Sequence, residues 1–241
     1  MNQPSTDQPD RALQRDATPF WERPETVAWF AARPPDPRVL RVFGTFPKGA
    51  RVLDLGCAAG RHAHALLELG LDAHALDASH AMVAHTRDRV APLVGRAEAE
   101  RRVTRGDMTD LTRYPNASFE GVVAIGILPG AASLDAWRTA VTEIARVLTP
   151  GGTLLLTHFT PPDGADGTLA APLPDDPHRY HDPETGRTML LLRAVELDAE
   201  LARHGLTPHE PTRLAKATTM RGHRPVLDAL VVKREHGSHG A

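Results

Sequence analysis

An apolar run that breaks into small residues and then into helical spacing is the first place where this sequence can do chemistry. Residues 52–60 read VLDLGCAAG. Small side chains at a strand-to-helix turn let the main chain approach a ligand closely, and the free amides that open the following helix favour a carboxylate or phosphate. Asp77 stands 21 residues after Gly56, at the expected end of the next strand. A carboxylate there accepts hydrogen bonds from both hydroxyls of a ribose. Turn and acid together point to a nucleoside-containing cofactor. The glycine spacing narrows the choice. A dinucleotide fingerprint places glycine at its first, third and sixth positions, and counting from Gly56 the later two are Ala58 and Arg61. NAD is thereby disfavoured.

The remaining reactive side chains are read against their plainer roles. His158 closes an apolar strand and is the best-placed candidate for a general base, although a structural or solvated histidine is the commoner case. His178, Tyr180, His181 and His223 are secondary candidates. His62 and His64 are two apart on a helix and face different ways, and His178 with His181 suits a metal only if that loop is helical. No metal site is expected. Cys57 reads as a small buried residue, since spacing fixes no partner base for it. Asp77 taken alone would be a helix N-cap, Met108 core filler, and Trp21, Trp29 and Phe30 packing residues. Position within the larger pattern is what gives them a site.

That pattern is a set of short apolar runs alternating with helical periods from Arg51 onward, which predicts βαβ units and a mainly parallel sheet. Strands are expected at 51–55, 72–76, 102–104, 121–125 and 153–159. Helices are expected at 60–69, 79–93 and 194–204. Another follows Ser133, where Leu134, Trp137, Val141, Ile144 and Leu148 recur as a buried stripe that Pro150-Gly151-Gly152 ends. Strands at 207–214 and 226–233 form an antiparallel hairpin. Residues 161–188, rich in Pro, Gly and Asp, read as a long loop insertion over a pocket. The organisation expected is a flexible tail at 1–17, an N-terminal helical cap at 18–46, a catalytic domain at 47–235 and a flexible tail at 236–241.

In its details the stretch resembles the first motif of class I S-adenosylmethionine-dependent methyltransferases, an acid followed by a Gly-x-Gly-x-Gly turn, here Asp54, Gly56, Ala58 and Gly60. The resemblance runs over about residues 50–160. It takes in Ala75-Leu76-Asp77-Ala78-Ser79, Gly106-Asp107-Met108, the strand from Phe119 to Gly126, and Arg146 to Gly152. Ala58 departs from it, standing where the family usually has glycine. The resemblance implies a three-layer Rossmann-like α/β fold with a seven-stranded, mostly parallel sheet and an antiparallel last strand. It further implies that Asp54, Gly56, Cys57, Ala58 and Gly60 hold the methionine part of S-adenosylmethionine, and that Asp77 and Ala78 hold the ribose. Asp107 and Met108 would meet the adenine, Ile125 and Gly126 would line the same cleft, and Trp21 would close over it from the cap.

Composition sets the outer limits. The 241 residues carry 28 basic and 30 acidic side chains, a formal charge of -2, which disfavours a broad phosphate-binding face and so nucleic acid as a partner. No run of apolar residues is long enough to span a bilayer. A single cysteine and a polar N-terminus fit a cytoplasmic protein, monomer or homodimer, acting on a small molecule. Two other readings stand beside methyl transfer: a non-catalytic S-adenosylmethionine-binding module, motivated by Ala58, and, on weaker grounds, an NAD(P)-dependent oxidoreductase. Ile127-Leu128-Pro129-Gly130 after the fourth strand is not the acidic Pro-Pro-aromatic signature of many amino-methylating enzymes.

Overall fold

The computed structural model describes residues 19–161, 172–181, 186, 188–220 and 222–235. The expected tails at 1–17 and 236–241, and residues 162–171, 182–185 and 187 of the expected insertion, lie outside the described residues. Parallel strands β1 (Arg51–Leu55), β2 (Asp72–Asp77), β3 (Val103–Arg105), β4 (Phe119–Ile125) and β5 (Leu148–Phe159) form most of the main sheet. β11 (Gly222–Lys233) runs antiparallel to β5, β10 (Arg213–Thr219) pairs with β11, and β9 (Leu206–Pro208) adds an eighth strand on β11. The order is β10-β11-β5-β4-β1-β2-β3, with β9 off this path; the mostly parallel sheet that the resemblance implies is present, with eight strands where seven are expected.

Alternation along each strand feeds two faces. On one, Leu53, Leu55, Leu154 and Leu156 pack with Trp137, Val141 and Ile144 of α6 (Leu134–Val147) and with Leu197 and Leu201 of α7 (Ala194–Arg203). On the other, Val52, Val123 and Leu155 meet Val39 and Phe43 of α2 (Pro37–Phe43) and Leu66 of α3 (Arg61–Glu68). α4 (His80–Val94) packs Val83 and Val90 with Ala75. Helix starts follow local chemistry. Ser79 Oγ accepts the Met82 N–H at 3.1 Å, and Ser133 Oγ accepts that of Ala136 at 3.1 Å. Asp36 accepts the Arg38 N–H at 2.9 Å ahead of Pro37 at the first helical position. A further helix, α1 (Pro24–Ala31), follows a short 3-10 turn, Phe20–Glu22.

Four expectations change. Residues 148–152 do not separate helix from strand: α6 stops at Val147 and β5 starts at once, absorbing Pro150 to Gly152 with a register shift against β4. A helix absent from the expectations, α5 (Arg96–Arg102), forms between α4 and β3, where Arg102 Nε reaches Glu98 Oε2 at 3.0 Å across one turn. The insertion is not all loop. Pro172–Leu173 (β6), Asp176–His181 (β7) and Thr188–Leu190 (β8) make a small antiparallel sheet, anchored by Tyr180, Met189 and Leu191 against Phe159. The hairpin partner of β11 is β10, so the strand expected at 207–214 is divided between β9 and β10.

Phe43 is seated in the space that Gly121 leaves on β4: a Cβ there would overlap Phe43 Cε1 and lie 3.3 Å from Phe46 Cε2. Gly121→Ala is expected to lower unfolding free energy by about 1–3 kcal/mol, the usual cost of overpacking, in urea denaturation. An unchanged midpoint would mean that α2 does not rest on β4 as described.

Candidate active site

The carboxyl ends of β1, β2, β4 and β5 open into a cleft of about 540 Å³, a size usual for small-molecule sites. Its first wall is the turn after β1, where Gly56, Ala58 and Gly60 have φ of +73°, +46° and +75°. Two of these glycines answer to packing. A Cβ on Gly56 would lie 2.7 Å from Ile127 Cβ, and one on Gly60 2.7 Å from Thr86 Cγ2. Ala58 adopts a left-handed conformation that costs a residue with a Cβ about 1–2 kcal/mol. Its peptide groups hold it there: the N–H donates to Asp77 Oδ2 at 2.9 Å and the carbonyl accepts from Thr86 Oγ1 at 2.7 Å. The methyl of Ala58 is therefore accommodated by backbone geometry.

Asp77 joins that turn to the next one. Its Oδ1 accepts the Ser79 N–H at 2.9 Å, while the Gly56 and Cys57 N–H groups donate to Leu76 O at 2.8 and 3.1 Å. Burial raises the Asp77 pKa above the ordinary carboxylate value, helped by the Asp54 and Glu22 charges, against the pull of the two amides. Each Asp77 oxygen receives one amide, and a carboxylate has about four acceptor positions. The capacity left over on the cleft side fits a ribose diol.

The cap reaches the same point. Ser79 Oγ donates to Trp21 O at 3.0 Å, and the Glu22 carboxylate accepts the His80 and Ala81 N–H groups at 2.8 and 2.9 Å. An acidic side chain thus takes up open amides at the start of α4. These bonds fix Trp21 on the cleft rim, 5.4 Å from the Phe30 ring.

Gly56, Cys57, Ala58, Asp77, Ala78, Asp107, Met108, Ile125, Gly126 and Trp21 all line the cleft. Asp107 is bent into a local turn, its Oδ1 accepting from the Thr109 N–H at 2.8 Å and Oγ1 at 2.6 Å. Asp54 and Gly60 stand behind the wall. Asp54 is 1% exposed, and its Oδ2 accepts the Ala63 N–H at 3.0 Å, so it shapes the turn from within. Burial pushes the Cys57 thiol well up, which keeps it protonated. Among the described residues no group of three or more His, Cys, Asp or Glu is placed to hold a metal ion.

The structure does not bring His158 to the cleft. It is fully buried, its Nε2 accepts the Trp137 indole N–H at 3.1 Å, and its Nδ1 donates to Phe159 O at 2.8 Å. Both ring nitrogens are occupied, and burial lowers the pKa to about 4. The strand's alternation explains this: Thr157 and Phe159 face the cleft, so His158 must face the core. His178, Tyr180, His181 and His223 are also outside the lining. His178 Nε2 lies 3.6 Å from Glu196 Oε1, and Tyr180 packs with Met189. In their place stand residues the sequence reading passed over: Arg38 and Asp36 from the start of α2, Thr157 on β5 and Asp228 on β11. A lone carboxylate in the apolar run Val226 to Val232 was the signal for the last of these.

Residues 52–152 match the family model described as a methyltransferase domain. The match runs from β1 into the start of β5, 101 of the 241 residues. The fold is the one that the motifs imply. Among solved structures, the chain is similar to an S-adenosylmethionine-dependent methyltransferase of Methanosarcina mazei, at 18% identity and TM-score 0.65 over 81% of this chain and 98% of that one. It is also similar to the 1,6-didemethyltoxoflavin-N1-methyltransferase of Burkholderia thailandensis, at 19% identity and TM-score 0.60 over 87% and 78% of the two chains. The cyclase SpnF shares the fold at 16% identity and TM-score 0.60, over 87% and 82%. A search of curated protein sequences finds no match.

Two outcomes follow from the geometry. Asp77→Ala should weaken S-adenosylmethionine binding by about 1–3 kcal/mol, the cost of stranded polar contacts, and wild-type affinity should fall on acidification through the raised Asp77 pKa. Calorimetry showing unchanged affinity in a folded variant would remove Asp77 from the site. His158 titrates near the ordinary 6.5 when unfolded and at about 4 when folded. Its contribution to stability is thus present above pH 6.5 and lost as pH falls towards 4. Urea midpoints measured across that window should drop for the wild type and drop less for His158→Gln. Equal slopes would contradict a neutral buried imidazole.

Proposed function

We propose that this chain transfers a methyl group from S-adenosylmethionine to a small-molecule acceptor, bound on the open part of the sheet beside the cofactor half of the cleft. The observation that carries the reading is that the cleft continues past Gly126 over Thr157, Phe159, Val226 and Ala215, where it is bounded by Thr188 and Met189 of the small sheet. One cleft of this size has to take both cofactor and acceptor, which favours an acceptor of modest dimensions. The Burkholderia thailandensis structure contains 1,6-didemethyltoxoflavin and S-adenosylhomocysteine, which supports a small-molecule acceptor in this fold. A cytoplasmic setting belongs to the same proposal, supported by the free thiol of Cys57. No helix among the described residues is long and apolar enough to cross a membrane.

The sulfonium supplies an activated methyl group and a neutral thioether leaving group. The chain's own residues have to align the partners and keep water out. Asp77 receives the ribose hydroxyls, Asp107 and Met108 flank the adenine, and the Gly56 to Ala58 backbone borders the amino-acid part. Trp21, tied down through Ser79 and Glu22, covers the rim. Ile125 and Gly126 mark the passage from cofactor half to acceptor half.

The test is a metabolite extract incubated with purified protein and methyl-labelled cofactor, together with calorimetry of S-adenosylmethionine and NAD(P). The account expects cofactor binding at micromolar concentration, no response to NAD(P), and label in a compound of low mass. Binding with no S-adenosylhomocysteine formed would favour the non-catalytic module, and heat from NAD(P) alone would restore the oxidoreductase.

A further inference from the structure

Cross-strand register decides what the acceptor half presents. One row across the sheet is Phe159 on β5, Val226 on β11 and Ala215 on β10. These residues are apolar, diminish in size towards the sheet edge and all line the cleft as an apolar shelf, with the Arg224 guanidinium carbon 5.9 Å from the Phe159 ring centroid. The neighbouring row pairs Thr157 with Asp228, the one carboxylate on this part of the sheet face. Arg213 is the next residue of that row, on β10, and its guanidinium is engaged by Glu210 at 3.6 Å.

The two Asp228 oxygens are used unequally. Oδ1 pairs with Arg38 Nη1 and accepts the Thr157 hydroxyl at 3.3 Å. No side-chain hydrogen bond reaches Oδ2 among the described residues, and the side chain is 22% exposed on the cleft wall. Arg38 is itself fixed by Asp36, through Nε to Oδ1 at 3.0 Å and Nη2 to Oδ2 at 2.6 Å, and its Nη2 also donates to Thr157 Oγ1 at 2.9 Å. One oxygen is therefore held rigidly and the other is left for a ligand. Burial and the Asp36 charge raise the Asp228 pKa against the opposing pull of Arg38, in the direction that suits a proton acceptor near neutral pH.

We propose that Asp228 receives the proton of the methyl acceptor, and that this acceptor is a flat, mainly apolar ring bearing an O–H or N–H. The assignment rests on the methyl-transfer reading above and deepens it. The ring lies on the shelf of Phe159, Val226 and Ala215, with its O–H or N–H directed at Asp228 Oδ2. As the acceptor's lone pair forms the new bond to the methyl carbon, the carbon–sulfur pair returns to sulfur. The acceptor's proton passes to Oδ2 and from there to solvent. The products are the methylated ring, the neutral thioether and one proton, so charge and atoms balance.

The experiment uses the full chain and methyl-tritiated S-adenosylmethionine with two probe panels. One contains planar phenols and heteroaromatic N–H compounds, the other aliphatic amines, thiols and carboxylic acids. Wild-type protein should label at least one planar compound, with kcat falling at low pH. Asp228→Asn should lower kcat at least about 100-fold, the low end for loss of a general base, and abolish that acid limb, with cofactor affinity unchanged as proof of folding. Asp228→Glu should recover part of the rate. Label confined to the second panel, no label despite tight cofactor binding, or Asp228→Asn with near wild-type kcat would each overturn the proposal. Absence of cofactor binding by the wild type would overturn the methyl-transfer reading instead.

Discussion

One carboxylate ties together the two turns on which the site depends. β1 and β2 run parallel and in register from Arg51 opposite Asp72 to Leu55 opposite Leu76, so their carboxyl ends arrive at the same level. There the chain has to reverse twice with its amides exposed. Asp77 meets one amide from each turn, Ala58 and Ser79, and in doing so becomes partly dehydrated. Its raised pKa is the physical mark of that compromise: burial removes more solvation than the two amides return.

The rest of this end of the cleft is built outward from this junction. Ser79, whose amide Asp77 accepts, also caps α4 and holds Trp21, so ordering of the cap is coupled to the same turn. Ala58 is tolerable because its amide and carbonyl are both engaged in the conformation a glycine would adopt freely. Asp54 works one layer further in, where it braces the first turn of α3. Towards β11 the cleft is polar instead, its charged groups concentrated in the Asp36, Arg38, Thr157 and Asp228 network.

The sequence carried more of the β1–β2 end of the cleft than of the β5–β11 end, for identifiable reasons. The turn from Gly56 to Gly60, Asp77 and the Ser133 cap are local features whose residue types state their backbone demands, so they could be read in order. His158 misled because two readings of one strand compete: its chemistry invites a role, while its parity along β5 sends it into the core beside Trp137. The small sheet within 161–188 lacked periodicity strong enough to outweigh its Pro and Gly content, and it forms by packing Tyr180 and Met189 on Phe159. The Arg38 to Asp228 pair joins residues far apart in the chain, and only the arrival of β11 beside β5 brings them together.

The most direct measurement is a crystal structure of the protein with S-adenosylhomocysteine. The account places the ribose hydroxyls within hydrogen-bonding reach of Asp77, the adenine against Met108, and the sulfur turned towards the side of the cleft that holds Thr157 and Asp228. A nucleoside bound elsewhere, or an Asp77 carboxylate that makes no contact with it, would contradict the account.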